Sequence, residues 1–192
     1  MRRAGYKEYS RRHKRRIKLS QTTTYGYGVA FIFDSGTRKC IPRGLGAGTF
    51  SAQKATWEAP PTIRVCTDSG VSVSRTSRAL KYWERIGYEF GAIVGDPFSM
   101  CMTPKHGEVL ITIPDSGFSD THMAATRLYT DTASGNIVRA KIQILPHNAS
   151  KDRVLEHEIG HALGWEHYPQ RYHIMHPTWK YGGYDSYGVH KR

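Results

Sequence analysis

Val138, Ala140, Ile142 and Ile144 alternate with Arg139, Lys141 and Gln143. A period of two puts the apolar set on one face and the polar set on the other, so the pattern predicts a strand with one wet face. An apolar and β-rich run, residues 123–130, precedes it, and residues 131–136 between them hold Ser-Gly-Asn. The pair predicts a β-hairpin. Shorter strands are expected within residues 25–36 (YGYGVAFIFDSG, ending in a turn at Asp34-Ser35-Gly36) and at residues 62–66 (TIRVC), 90–94 (FGAIV) and 108–114, where Val109, Ile111 and Ile113 share one side.

Two stretches change period. In residues 74–90, Leu80, Trp83 and Ile86 recur at helical spacing, with Ser74 or Ser77 as a cap and Gly87 and Gly91 closing the segment. That stripe reads as a helix packed on a sheet. A second helix is expected over about residues 151–163, with Ser150 as its cap and Asp152 near its positive end. At about 100° per residue, Val154, His157, Glu158 and His161 fall on one side of it. Leu155, Ile159, Ala162 and Leu163 fall on another. The order strand, helix, strands, hairpin, helix defines an α+β or mixed α/β chain.

Charge divides the chain unevenly. Residues 1–18 carry six arginines, three lysines and one glutamate, a net +8 out of +12 for all 192 residues. Such an arm is drawn to polyanions by long-range attraction and counterion release, so nucleic acid, an acidic protein surface, an anionic membrane or a larger assembly are its expected partners. We divide the chain into a basic N-terminal arm (1–21), an extension rich in glycine and aromatics (22–61) and a folded domain (62–192). The alternating glycines of residues 43–50 precede nothing helical, so they read as a flexible loop rather than a phosphate cradle. No apolar run reaches the length of a membrane span. No signal peptide is recognised, which favours a cytoplasmic or particle-borne location over classical secretion. Three cysteines, Cys40, Cys66 and Cys101, leave at least one thiol unpaired, and reduced thiols are the default expectation.

The candidate chemistry lies in residues 157–177, HEIGHALGWEHYPQRYHIMHP, with five histidines. His157 and His161 are one helical turn apart and can reach one ion. Gly164 can adopt the left-handed backbone that ends a helix, and the chain then returns His167 to the same point. Three neutral imidazoles with an open fourth position describe a catalytic zinc site. Glu158, beside the first ligand, is badly placed to be a fourth ligand but well placed to touch a water.

This stretch matches H-E-x-x-H-x-x-G-x-x-H and so resembles the metzincins, and HIMHP resembles their Met-turn. Residues 135–144 look most like the matrixin branch. The resemblance implies a metzincin-like zincin domain: a mixed, mostly parallel sheet with an antiparallel edge strand, an active-site helix and a Met-turn, here with the basic arm added. It implies a zinc metallopeptidase, with His157, His161 and His167 as ligands of Zn(2+), Glu158 as general base and Met175 as the apolar floor. Trp179, Tyr181 and Tyr184 fall where the clan builds a substrate pocket, and residues 138–145 are the expected edge along which a peptide substrate lies. Two positions depart from the pattern. Tyr168 follows the third histidine, where matrixins usually have a small hydroxyl residue and astacins an acid. Pro177 stands two beyond Met175, where astacins and serralysins place a tyrosine.

Several residues read as structural. His106, His122, His147, His173, His176 and His190 are expected at the surface or in ordinary hydrogen bonds. Asp115, Asp120 and Asp131 form turns rather than calcium sites, and Cys40 is a free thiol rather than a latency plug. The second functional reading, of another class, is a structural or docking protein such as a virion component. It would keep the metzincin body and bind nucleic acid or an assembly through its arm.

Overall fold

The computed structural model describes residues 29–34, 52–97, 101–115, 118, 119 and 121–191, the first of these segments as backbone. The basic arm, the glycine loop of residues 43–50, Cys40, Asp120 and the turn at Ser35-Gly36 lie outside the described residues.

The elements are β1 (Val29–Asp34), β2 (Thr62–Cys66), α1 (Val73–Glu84), β3 (Ile93–Asp96), β4 (Glu108–Thr112), β5 (His122–Thr130), β6 (Ile137–Ile144) and α2 (Val154–Ala162). The strands form one sheet in the order β1-β5-β6-β4-β2-β3. Strands β3, β2, β4 and β6 pair in parallel, while β5 runs antiparallel to both β6 and β1. This is a mixed sheet with two helices, an α+β architecture consistent with a matrixin-like domain. Among the described residues no helix is long and apolar enough to cross a membrane.

Three expectations are corrected here. First, β6 lies inside the sheet, between β5 and β4, and is not an edge. Its polar row is mostly covered rather than wet. Lys141 is buried with its ammonium 3.0 Å from Asp115, and Arg139 lies over the Tyr129 ring at 4.8 Å. Long side chains can bury their stems while their charged ends find partners, so alternation alone did not reveal a covered face. The edge of the hairpin is β5, and β1 occupies it through pairs running from Val29↔Leu128 to Asp34↔His122.

Second, Cys66 and Cys101 form a disulfide. Counting cysteines could not show that the loop after β3 returns to the end of β2. Third, the helix caps shift. Ser72, not Ser74 or Ser77, accepts the Arg75 backbone N–H and starts α1. Ser150 does not cap α2, because residues 146–148 form a 3-10 turn and Arg153 enters the left-handed region (φ 69°) just before the helix. The chain spends residues 146–153 turning from β6 toward the helix, which leaves α2 only nine residues.

Helix α2 is buried on every side. One flank packs on β5 and β6, the other on α1. Trp83 of α1 donates its indole N–H to the Glu156 carbonyl (2.8 Å), and Arg75 forks onto the Glu156 carboxylate at 2.8 and 2.6 Å. A bidentate guanidinium–carboxylate pair fixes orientation as well as distance. Gly160 lies at the crossing. A Cβ there would overlap the Met175 sulfur and stand 2.6 Å from the Trp83 ring, so the glycine permits the close approach of α1, α2 and the segment carrying Met175.

Candidate metal centre and its surroundings

The C-terminal end of α2 is closed by chain from far upstream. Its last carbonyls are orphans by helix geometry and need donors. Gln53 Nε2 reaches Leu163 O (2.9 Å), Trp57 Nε1 reaches Ala162 O (2.8 Å) and Lys54 N reaches Gly164 O (2.9 Å). Gly164 takes φ 94°, as expected, and the chain turns back toward the helix.

That turn brings the third histidine home. One nitrogen from each of His157, His161 and His167 lies within 4.8 Å of the other two. The outer nitrogens of the first two rings are anchored. His157 Nδ1 donates to the Ile174 carbonyl (2.7 Å) and His161 Nδ1 donates to the Trp165 carbonyl (2.6 Å). A carbonyl accepts, so each Nδ1 carries the proton and each Nε2 presents a lone pair. Those two Nε2 atoms stand 2.9 Å apart. Two lone pairs facing at that distance repel unless a cation lies between them. The anchoring of each ring from behind by a carbonyl is also how metal-binding imidazoles are oriented. The donor set therefore fits a divalent cation, and three imidazoles suit zinc.

Electrostatics agree with the geometry. Burial holds His157 and His161 well below the usual imidazole range and lowers His167 to about 4, with neighbouring imidazoles acting in the same direction. All three are unprotonated at neutral pH, the state that ligates metal. Burial raises Glu158 to about 8, opposed by a hydrogen bond from Thr126. His157, Glu158 and His161 have no exposed surface, whereas His167 is half-buried. Oxygen Oε1 of Glu158 is buried without a hydrogen-bond partner among the described residues.

These shifts set the pH response of the metal-free chain. The histidines' folded pKa values lie below the unfolded 6.5. Their contribution to stability is complete above pH 6.5 and is lost as pH falls below it. Glu158 acts oppositely, because its folded value lies above the unfolded 4.5. Its contribution is complete below 4.5 and is lost as pH rises through about 8. Below pH 6.5, unfolding takes up protons at these three histidines and at His173 and His176, whose burial lowers them too, and releases one from Glu158. Chelator-treated protein is therefore expected to lose stability on acidification through this window, by a few kcal/mol per pH unit at most. Urea unfolding at pH 7 and pH 5.5 checks it, and equal stabilities would contradict the assignment of neutral, buried imidazoles.

The other expected residues are placed as follows. Met175 is fully buried beneath α2, and its carbonyl accepts the Tyr168 N–H (2.8 Å). Trp179 is half-buried, donates to the Asp152 carbonyl and carries Arg153 over its ring. Tyr181 lies beside His176 and Arg171, and Tyr184 lies against Tyr82 of α1. Each of these aromatics thus packs on a different partner. His173 is buried, with Nε2 donating to the Tyr187 carbonyl and Nδ1 accepting the Met175 N–H. Asp115 pairs with Lys141, and Asp131 accepts the Ala133 and Ser134 N–H groups, which lowers its pKa. Residues missed in the sequence are Thr126, which contacts Glu158, and Gln53, Lys54 and Trp57, which close α2. None carries a local signal, because each acts on a segment at least 32 positions away.

A parallel-to-antiparallel sheet, a buried helix bearing two histidines and a glutamate, and a third histidine beyond a glycine turn make up a metzincin-like arrangement. The family model described as Matrixin matches residues 112–191, so this part of the chain is matrixin-like and points to a metalloprotease family. The match spans β5, β6, α2 and the segment beyond, and leaves residues 1–111 uncovered. No curated protein and no solved structure matches the chain at a significant level.

Proposed function

We propose that the chain is a zinc-dependent endopeptidase acting on peptide or protein substrates. The observation that carries this reading is the convergence of His157, His161 and His167 on one point, with Glu158 beside the first of them on α2. Bound there, zinc would supply a Lewis acid that polarises a peptide carbonyl and acidifies water. Glu158 takes a proton from the attacking water and returns it to the departing amine, general acid–base work by one carboxylate. Oε1 is the oxygen free to do so, since Oε2 already accepts the Thr126 hydroxyl. The Ile174 and Trp165 carbonyls keep the rings from rotating, and Met175 supports α2 from below as the Met-turn residue. Trp179, Tyr181 and Tyr184 remain the candidates for contact with substrate side chains.

The test is cleavage of a mixed peptide library by the zinc-loaded full chain, followed by chelation and zinc return. Activity should follow metal content down and up again. Failure of the fully loaded protein to cleave any peptide would overturn the peptidase reading. That outcome would favour the docking protein, whose support is the +8 charge of residues 1–18 and its attraction for nucleic acid or an assembly. The Cys66–Cys101 bond favours residence in an oxidising compartment or outside a cell over the reducing cytosol.

A further inference from the structure

Thr126 sits in the middle of β5, opposite Ile142 of β6 and Phe31 of β1. Its core-facing neighbours two residues away are Ala124 and Leu128, and all three are buried. Packing alone would be met by valine, which has the same shape and no hydroxyl to desolvate. A buried hydroxyl is tolerated when it is hydrogen-bonded. This one lies 2.5 Å from Glu158 Oε2 and 3.2 Å from the Glu158 backbone carbonyl. A hydroxyl has one proton to give, and the carboxylate oxygen is the nearer acceptor.

From this geometry we infer that Thr126 is a positioning residue for the general base, a role that rests on the peptidase reading above. Its hydroxyl holds Oε2 and stops the carboxyl from rotating about its last bond. One oxygen is thereby assigned to the sheet and the other, Oε1, is left for proton transfer. The same contact ties the middle of α2 to β5, so the base moves with the sheet rather than with the surrounding loops. Holding a catalytic group by a second, packed residue preserves reactive geometry that a free rotor would lose.

Thr126→Val and Thr126→Ser in the zinc-loaded full chain test this. Thr126→Val keeps the shape and removes the donor. It should lower kcat on the order of 10- to 100-fold, the worth of a hydrogen bond to a charged group, with KM and zinc content essentially unchanged. Thr126→Ser restores the donor and should recover most of kcat. A readout independent of turnover is the infrared difference between wild type and Glu158→Gln, which isolates the Glu158 carboxyl bands. These bands should shift in the Thr126→Val background and return with Thr126→Ser. A kcat within twofold of wild type in Thr126→Val, or unmoved carboxyl bands, overturns the proposal. A zinc-loaded wild type that cleaves nothing, while its carboxyl bands still shift in the Thr126→Val background, defeats the peptidase reading and leaves the Thr126–Glu158 contact standing. If Thr126→Val unfolds, the serine variant and its bands decide: a folded Thr126→Ser with wild-type bands and wild-type kcat supports the role, and shifted bands with wild-type kcat refute it.

Discussion

Replacing Glu158 by glutamine is expected to reduce peptide hydrolysis on the order of 10²- to 10⁴-fold, the range contributed by a positioned general acid–base group. Glutamine keeps the shape of the side chain and can still meet the Thr126 hydroxyl with its carbonyl oxygen. It cannot take up a proton from water at any accessible pH. The three histidines are untouched, so zinc content should equal that of wild type, and the melting curve should shift little. In the metal-free protein, removal of a buried acid whose pKa burial raises works, if anything, toward stability. The measurement is kcat/KM on one peptide for both proteins at matched metal content. A variant that cleaves at the wild-type rate removes Glu158 from the mechanism. One that loses zinc as well as activity makes the glutamate a ligand rather than a base.

The second large effect is on stability. Gly164→Ala should cost about 3–5 kcal/mol, since two penalties fall on one position. The backbone there has φ 94°, which an alanine adopts only with strain. The added methyl would also overlap the Ala55 carbonyl oxygen, closer than the 3.0 Å that real Cβ atoms keep. That oxygen belongs to the segment closing the end of α2, so relief requires residues 52–57 to lift and the Ala162, Leu163 and Gly164 carbonyls to lose their donors. Gly135→Ala is the control. Gly135 also has positive φ, 74°, but nothing lies within 4 Å of its Cβ position. It should show only the conformational part, about 1–2 kcal/mol. Urea midpoints of both variants separate strain from collision, and equal losses would show that the Ala55 approach is not tight.

Much of this arrangement was legible in the residues themselves, and the parts that were not share a cause. The i, i+4 histidines and the glycine after the helix are local signals, and they point to the three histidines that the fold brings together. Period-two patterns likewise marked β2 and the β5–β6 hairpin to within a residue, while α1 and β4 were recognised with their ends displaced. Long-range events left no such trace. Nothing in the run around Thr126 says that its hydroxyl meets a carboxylate 32 positions later, and nothing in residues 52–57 says that they cap a distant helix. The two alternating rows of β6 suggested one dry and one wet face. Partners supplied by Asp115 and Tyr129 covered the second, so a strand read as peripheral is central. The beginning of α2 was misplaced for a different reason. Ser150 and Asp152 are good capping types, but a left-handed Arg153 makes the backbone, not composition, decide where the helix starts.

Strand β1 gives the sheet a property that belongs to its hydrogen-bonding rim rather than to any side chain. The rim nearest Glu158 is that of β5, because Thr126 of β5 is what touches the glutamate. Its outward N–H and C=O groups are already engaged along six residues of the chain's own N-terminal portion, with Phe31 opposite Thr126. An incoming extended polypeptide that uses this rim has to peel β1 away and replace its ladder bond for bond. One that docks outside β1 lies two strand spacings, roughly 10 Å, from β5. For a polypeptide that takes the first route, entry is a contest between two backbones, and its threshold is set by how tightly residues 29–34 are zipped.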